Sequence, residues 1–150
     1  MTMDIVGRKV ERRGLREKLT GEARYSADLK LPGMLYGAVL RSPHPHANVL
    51  SIDTTAASSL PGVHAIVTPF DVPGGRMDAD LPILDARGRY EGDEVAAVAA
   101  DSPERAAEAL RLLDVQFEVL PFVLDADAAL QPGAVEIHPG GNLVGGQPIS

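Results

Sequence analysis

The sharpest pattern of apolar and polar positions lies between Gly92 and Pro121. Glu94–Ala100, EVAAVAA, is a small apolar run of buried-strand length. Asp101-Ser102-Pro103 stops it and opens a helix. The Ser102 hydroxyl can accept from free backbone N–H groups, and Pro103 suits the first turn, where its missing N–H costs nothing. Glu104 then sits near the positive end of the helix. Ala106, Ala109, Leu110 and Leu113 recur at i, i+3, i+4 and i+7, so one face is apolar, while Glu104, Arg105, Glu108 and Arg111 lie mostly off it. Val115, Phe117 and Val119 then alternate with Asp114, Gln116 and Glu118, the period of a half-buried strand. The spacing predicts strand 94–100, helix 103–113 and strand 114–120, with Ala106, Leu110 and Leu113 against a sheet.

A second strand–helix–strand unit precedes it. Ala47–Asp53 reads as a strand with Val49 opposite Leu50 and Ile52, Thr54 or Thr55 caps a short helix to Leu60, and 63–68 is the next strand. Residue identity between the two units is too poor for a sequence repeat. Upstream, 34–40 (MLYGAVL) reads as a buried strand, with Gly37 hinting at a bulge, and 23–26 as a short one. Residues 41–46 hold two prolines and exclude helix. Residues 1–20 show no strong period and predict an extended, partly irregular arm. Residues 69–87 are rich in Pro, Gly and Asp and predict a long loop, of a length that is uncommon in compact domains and often functional. A short strand at 88–90, a helical turn at 125–130 and a linker from 133 to 150 complete the reading.

Composition narrows the classes. The chain has 150 residues, 45% of them apolar, enough for one domain with a core. There is no Cys, which excludes disulfides, thiolate metal sites, iron–sulfur ligation and cysteine nucleophiles in this chain. No run nears the ~20 apolar residues that span a bilayer, and the start lacks a signal peptide's apolar stretch. The expectation is a cytoplasmic chain with no membrane contact. A net charge of −7 argues against nucleic acid as a partner. The charge is uneven: residues 1–30 hold eight Lys/Arg and five Asp/Glu, residues 31–150 six and sixteen. The N-terminal excess reads as a solvated face or as an arm that lies on an acidic surface.

Candidate chemistry is sparse. His44 and His46, two apart in an extended segment, could turn two imidazoles toward one metal, but no third ligand follows. A proline-stiffened turn is the competing reading. His64 falls in a strand and His138 in the linker. Asp78, Asp80, Asp85, Glu91, Asp93 and Glu94 supply carboxylates, yet a general-acid pair needs an enclosed site that separates two pKa values, and these stand in Gly- and Pro-rich loops. The glycines at 74–75, 140–141 and 145–146 lack the strand-before, helix-after setting of a phosphate loop, and no Ser has a nucleophile-elbow context. From the residues alone this is a small domain of strands and helices with no internal active site: no catalytic, cofactor-binding or metal-binding residue is expected.

Several stretches together carry a resemblance: Val6-Gly7, Lys18-Leu19-Thr20-Gly21, Ala23 with Tyr25, Pro32-Gly33-Met34-Leu35-Tyr36, Arg41-Ser42-Pro43, Pro45-His46-Ala47 and Ile52-Asp53. Pro61-Gly62-Val63, Thr68 with Asp71-Val72-Pro73, Gly92, Val95-Ala96-Ala97-Val98, Ala106 with Ala109, Leu120-Pro121, His138-Pro139 and Gly141-Asn142 extend it. In this order they resemble the start of the large, molybdopterin-binding subunit of the molybdenum hydroxylases, the family of xanthine dehydrogenase, aldehyde oxidase, aerobic carbon monoxide dehydrogenase and 4-hydroxybenzoyl-CoA reductase. Gly14 departs from the pattern, which usually has Asp there. GDEVAAVAA looks most like members acting on aromatic acyl-CoA or heterocyclic compounds.

The resemblance implies an α+β fold, the α/β-hammerhead, here with a mixed sheet of two strand–helix–strand units and an extended N-terminal arm. It implies an arm at 1–20, the hammerhead domain at 21–131, and a linker at 132–150 toward molybdopterin-binding domains beyond this chain. By the same resemblance the full subunit carries the molybdenum–molybdopterin cofactor, with iron–sulfur clusters and FAD on partner domains or subunits, and this chain is a non-catalytic scaffolding and docking piece, able to self-associate. A stand-alone small-molecule binding or carrier module is the alternative. A carrier needs a Lys at an exposed hairpin tip, and the only lysines are Lys9, Lys18 and Lys30.

Overall fold

A computed structural model describes residues 7, 9, 12–72, 76–78 and 81–143. The chain forms two compact units, Met1–Met34 and Leu35–Ser150. In the first, Leu15–Thr20 is a short helix, α1, flanked by Gly14 (φ +71°) and Gly21 (φ +76°), both in the left-handed conformation that favours glycine. Ser26–Asp28 makes a 3₁₀ turn, closed by the Asp28 carboxylate accepting from the Tyr25 N–H at 2.9 Å. The arm expected to be irregular is therefore helical at 15–20, and the strand expected at 23–26 gives way to the 3₁₀ turn. Both local forms rest on glycine and carboxylate caps, which a search for apolar periodicity passes over.

The second unit holds the sheets. Its strands are β1 Tyr36–Arg41, β2 Ala47–Asp53, β3 Val63–Val67, β4 Arg76–Asp78, β5 Leu81–Pro82, β6 Arg87–Gly88, β7 Glu94–Ala100 and β8 Asp114–Val119. Its helices are α2 Thr55–Ser58, α3 Pro103–Arg111 and α4 Ala126–Ala129. The strand order is β1-β7-β3 in one sheet, β6-β2-β8 in a second and β4-β5 in a ribbon, and every pairing among the described residues is antiparallel. This corrects the expectation of one mixed sheet. Each strand–helix–strand unit sends its two strands to different sheets. The first strand of one unit pairs with the last of the other: β2 with β8, β7 with β3. Two units running in opposite senses interleave in this way, and neither unit's local pattern names its partner.

Ser102 caps α3 as its position suggests, accepting from the Arg105 N–H, with Pro103 at the first position. The helix lies over β1 and β7, and α2 packs beside it. Ala57, Val98 and Ala109 are the buried centre of this layer, ringed by Leu60, Val63, Ile66, Leu110 and Leu113. Ala106 and Ala109 are wholly buried, so the helix approaches the sheet closely; Leu110 and Leu113 are only half-buried at its flank. Strand β1 is an edge strand with alternate residues exposed, less buried than its composition suggests, and its irregularity falls at Leu40/Arg41 instead of at Gly37. In β2 the register shifts between Val49 and Ser51, which leaves Leu50 60% exposed. The cap of α2 also differs from expectation: the Asp53 carboxylate accepts from the Thr55 N–H at 2.8 Å, and neither threonine side chain caps.

The loop expected at 69–87 contains the β4–β5 ribbon and the start of β6. Asp125 caps α4 by accepting from the Ala128 N–H at 2.8 Å. Within the expected linker, Asn142 ties the described part together: its side chain accepts from the Ile137 N–H and donates to the carbonyls of Ala129 and Val135. The rest of that stretch, 144–150, lies outside the described residues, as do 1–6, 8, 10 and 11 of the arm.

Candidate functional site

Five of the sequence candidates, His44, His46, Asp85, Asp93 and Glu94, lie about one polar junction, where the end of β1, the start of β2, β6 and the exit of β8 meet. Ser42 is buried there. Its N–H donates to the Asp93 carbonyl and its carbonyl accepts from the Gly92 N–H, both at 2.8 Å, while its hydroxyl exchanges hydrogen bonds with the His44 backbone. These bonds hold the proline-rich segment 42–46 in its turn. His44 then sets its ring edge-on against Phe117, with centroids 5.1 Å apart.

His46 points elsewhere. It is 2% exposed, with Nδ1 2.6 Å from the Pro121 carbonyl and Nε2 3.1 Å from Arg87 Nε. The guanidinium can only donate, so Nε2 accepts, and Nδ1 carries the proton that is donated to Pro121. Both ring nitrogens are spent on structure. The two imidazoles share no ligand position, and the metal reading of His44 and His46 fails on this geometry. Among the described residues no group of three or more His, Asp or Glu side chains could hold a metal ion.

Three of the carboxylates, Asp85, Asp93 and Glu94, are likewise engaged. Asp85 pairs with Arg89 at 2.7 Å and accepts from the Arg87 N–H. Burial pushes the Asp85 carboxyl up, but the hydrogen bond and charge of Arg89, with the amides of Arg87 and Ala86, together hold it below the usual carboxylate range. Asp93 accepts from the N–H groups of Arg89 and Glu94. Glu94 pairs with Arg41 at 2.8 Å, and Arg41 also donates to the Gly92 carbonyl. The negative charge of Asp93, with some burial, raises the Tyr90 phenol. Glu91 is exposed; Asp80 lies outside the described residues, as does the side chain of Asp78. His64 pairs with Asp101 at 2.7 Å on an exposed surface, and His138 closes a bridge to Gly141. Lys18 lies in α1 and Lys30 in the chain after the 3₁₀ turn; neither tips a hairpin.

Sequence reasoning gives no bonding role to Arg87, Ser42 or Asn142, although Ser42 and Asn142 stand in the matching stretches. Their residue types are ordinary in turns, and only their hydrogen bonds to distant segments mark them. The junction can clamp three chain segments. Both His46 nitrogens and the carboxylates of Asp85, Asp93 and Glu94 are already taken by these internal bonds, so they are not free to hold the molybdenum cofactor that the resemblance implies, and no cofactor chemistry is derived from them.

Two strand–helix–strand units interleaved through antiparallel sheets, with their polar side chains spent on internal bonds, define an α+β domain of the hammerhead class. The family model described as the a/b hammerhead domain of aldehyde oxidase and xanthine dehydrogenase matches residues 20–121, and the chain belongs to that family. Over 134 residues it is 46% identical to a probable xanthine dehydrogenase subunit of Bacillus subtilis, covering 86% of this chain and 18% of that one. It is 39% identical to the xanthine dehydrogenase molybdenum-binding subunit of Escherichia coli O157:H7, covering 85% and 19%. The fold superposes on quinoline 2-oxidoreductase from Pseudomonas putida 86 with a TM-score of 0.78, at 36% identity over 89% of this chain and 19% of that chain. The α/β-hammerhead expectation is thereby met. The chain spans about a fifth of the length of these relatives.

Proposed function

We propose that this domain is a non-catalytic scaffold of a molybdenum-dependent oxidoreductase, which docks against the cofactor-binding part of the same large subunit. The observation that carries this reading is an uncharged apolar strip. Residues 119–124, VLPFVL, carry the chain out of β8 through the His46–Pro121 hydrogen bond, with Val119, Phe122 and Leu124 exposed, Leu124 to 80%. A soluble domain gains nothing by holding such a strip in water, and a strip of this kind marks a contact. The junction fixes where it leaves the sheet.

In this reading the molybdenum cofactor supplies the oxidation chemistry in the full subunit, and iron–sulfur and flavin groups lie on partner domains or subunits. The names of the relatives support it: one is a molybdenum-binding subunit, another a large molybdopterin subunit of a nicotinate dehydrogenase. What the domain's own residues do is orient the exit strand.

Two measurements test the proposal. The isolated chain, made in a molybdenum-replete host, is expected to bind no molybdenum and to oxidise no aldehyde, purine or aromatic acyl-CoA in a dye-reduction assay. In the full-length subunit, Phe122→Asp with Leu124→Asp is expected to lower the molybdenum content. Stoichiometric molybdenum with turnover in the isolated chain, or unchanged molybdenum in the double variant, would sink it.

A further inference from the structure

We infer that the N-terminal unit, over residues 12–31, is the docking segment for a separate, acidic subunit, one whose surface offers an apolar cleft rimmed by carboxylates. The inference rests on the scaffold reading above and assigns a second contact, with its own chemistry, to a different part of the chain.

The first observation is local order without burial. α1 is bounded by two left-handed glycines and the following turn is closed by Asp28, yet α1 and the 3₁₀ turn contain no buried residue. From 12 to 33 only Ala23 is even half-buried. Leu15 and Leu19 fall on one face of α1, four residues apart, and Leu19 is 79% exposed; Leu29 and Leu31 are exposed too. A helix of six residues does not hold in water by itself. An apolar surface packed against it is what its leucines lack.

The second observation is charge. Residues 12–31 carry six Lys/Arg against three Asp/Glu, while 35–150 carry six against sixteen. A cationic segment on an otherwise acidic chain favours a carboxylate-bearing partner and is repelled by a basic one. Two hollows in the unit, of about 720 and 680 Å³, each combine cations with apolar walls: Lys18 and Arg24 with Leu29 in one, Arg12 and Arg13 with Leu15 in the other. They fit side chains that are acidic at the tip and apolar along the stem.

The third observation is the contrast with 119–124. That strip has no charge and suits permanent packing within a subunit. The N-terminal unit mixes arginines with scattered leucines, the composition of an interface between separately folded subunits, where arginine is enriched and a polar rim surrounds apolar anchors.

The test uses the full-length large subunit with the subunits that co-purify with it. Amides of 15–20 should exchange at least about ten-fold more slowly in the complex than in the lone large subunit. Arg12→Glu/Arg13→Glu/Arg16→Glu should weaken association about ten-fold or more, and added salt should weaken the wild-type complex in the same direction. Leu15→Asp/Leu19→Asp should weaken it as much. Neither variant touches a buried residue, so the unfolding midpoint of the large subunit should stay put. Equal protection of 15–20 with and without the other subunits would place the segment against its own chain and overturn the inference. So would association unmoved by both variants, or a large subunit that purifies with no second subunit. Molybdenum content that falls in the Phe122/Leu124 variant but not in these separates this inference from the scaffold reading.

Discussion

His46 donates through Nδ1 to the Pro121 carbonyl at 2.6 Å, joining two residues 75 positions apart. The same ring accepts from Arg87 on its other side. One buried imidazole thus fixes where β2 begins, where β6 runs and where the chain leaves β8.

His46→Ala is expected to cost about 2–4 kcal/mol. It leaves the Pro121 carbonyl without its donor, frees the Arg87 guanidinium and opens a ring-sized cavity where the buried imidazole stood. Urea unfolding of the two proteins checks this; a midpoint unchanged from wild type would mean that the ring is not part of the clamp.

Gly62→Ala is expected to destabilise by about 1–3 kcal/mol. Gly62 sits at φ +87°, and a Cβ there would come within 2.8 Å of both Asp101 Oδ2 and Arg105 Cδ. Those two side chains hold the turn before β3 to the start of α3: Arg105 donates to the Pro61 carbonyl, and Asp101 pairs with His64. Asp101→Ala added to Gly62→Ala should recover only part of the loss, because the backbone strain stays. Full recovery in thermal unfolding would assign the whole effect to the clash.

The Asp85–Arg89 pair gives a pH dependence of known sign. The Asp85 carboxyl is held below its ordinary value in the folded protein. Its contribution is therefore present above the unfolded carboxylate pKa, near ~3.9, and is lost as pH falls through the lower folded value. Asp85→Asn should lower stability at pH 7 by about 1 kcal/mol and should flatten the loss on acidification. Urea midpoints from pH 7 down to pH 3 read this out; an identical acid slope in wild type and variant would contradict it.

Leu110→Ala should cost about 2 kcal/mol, at the low end of large-to-small core changes, since Leu110 lies at the half-buried flank of the α3 layer. Ala109→Leu should cost about 1–3 kcal/mol for the opposite reason, because Ala109 is wholly buried and the close approach of α3 leaves no room. A tolerated leucine at 109, seen as an unchanged urea midpoint, would show that the helix stands off the sheet.

The elements themselves are legible in the sequence wherever a local signal marks a boundary. Ser102-Pro103 starts α3, and the alternation of Val115 and Phe117 with polar neighbours makes β8. Ala47–Asp53 has the same bounds in the sequence pattern and in the structure. Helix α1 and the β4–β5 ribbon leave no such signal, since one depends on left-handed glycine caps and the other on pairing between strands too short to show a period. For α2 the pattern points to a threonine cap; the side chain that reaches the Thr55 N–H belongs to Asp53.

By itself the sequence determined the two strand–helix–strand units, the absence of thiolate chemistry, the uneven charge and, through its matching stretches, the family. Those are properties of neighbours along the chain. Tertiary structure alone decided that β2 pairs with β8 and β7 with β3, so that each strand–helix–strand unit is split between two sheets. It also decided that His46, two residues from His44 and a candidate metal ligand by spacing, is turned inward to Pro121 and Arg87. The physical reason is shared. A strand's backbone donors and an imidazole's two nitrogens accept any partner of suitable geometry, and which partner arrives is set by how distant segments pack.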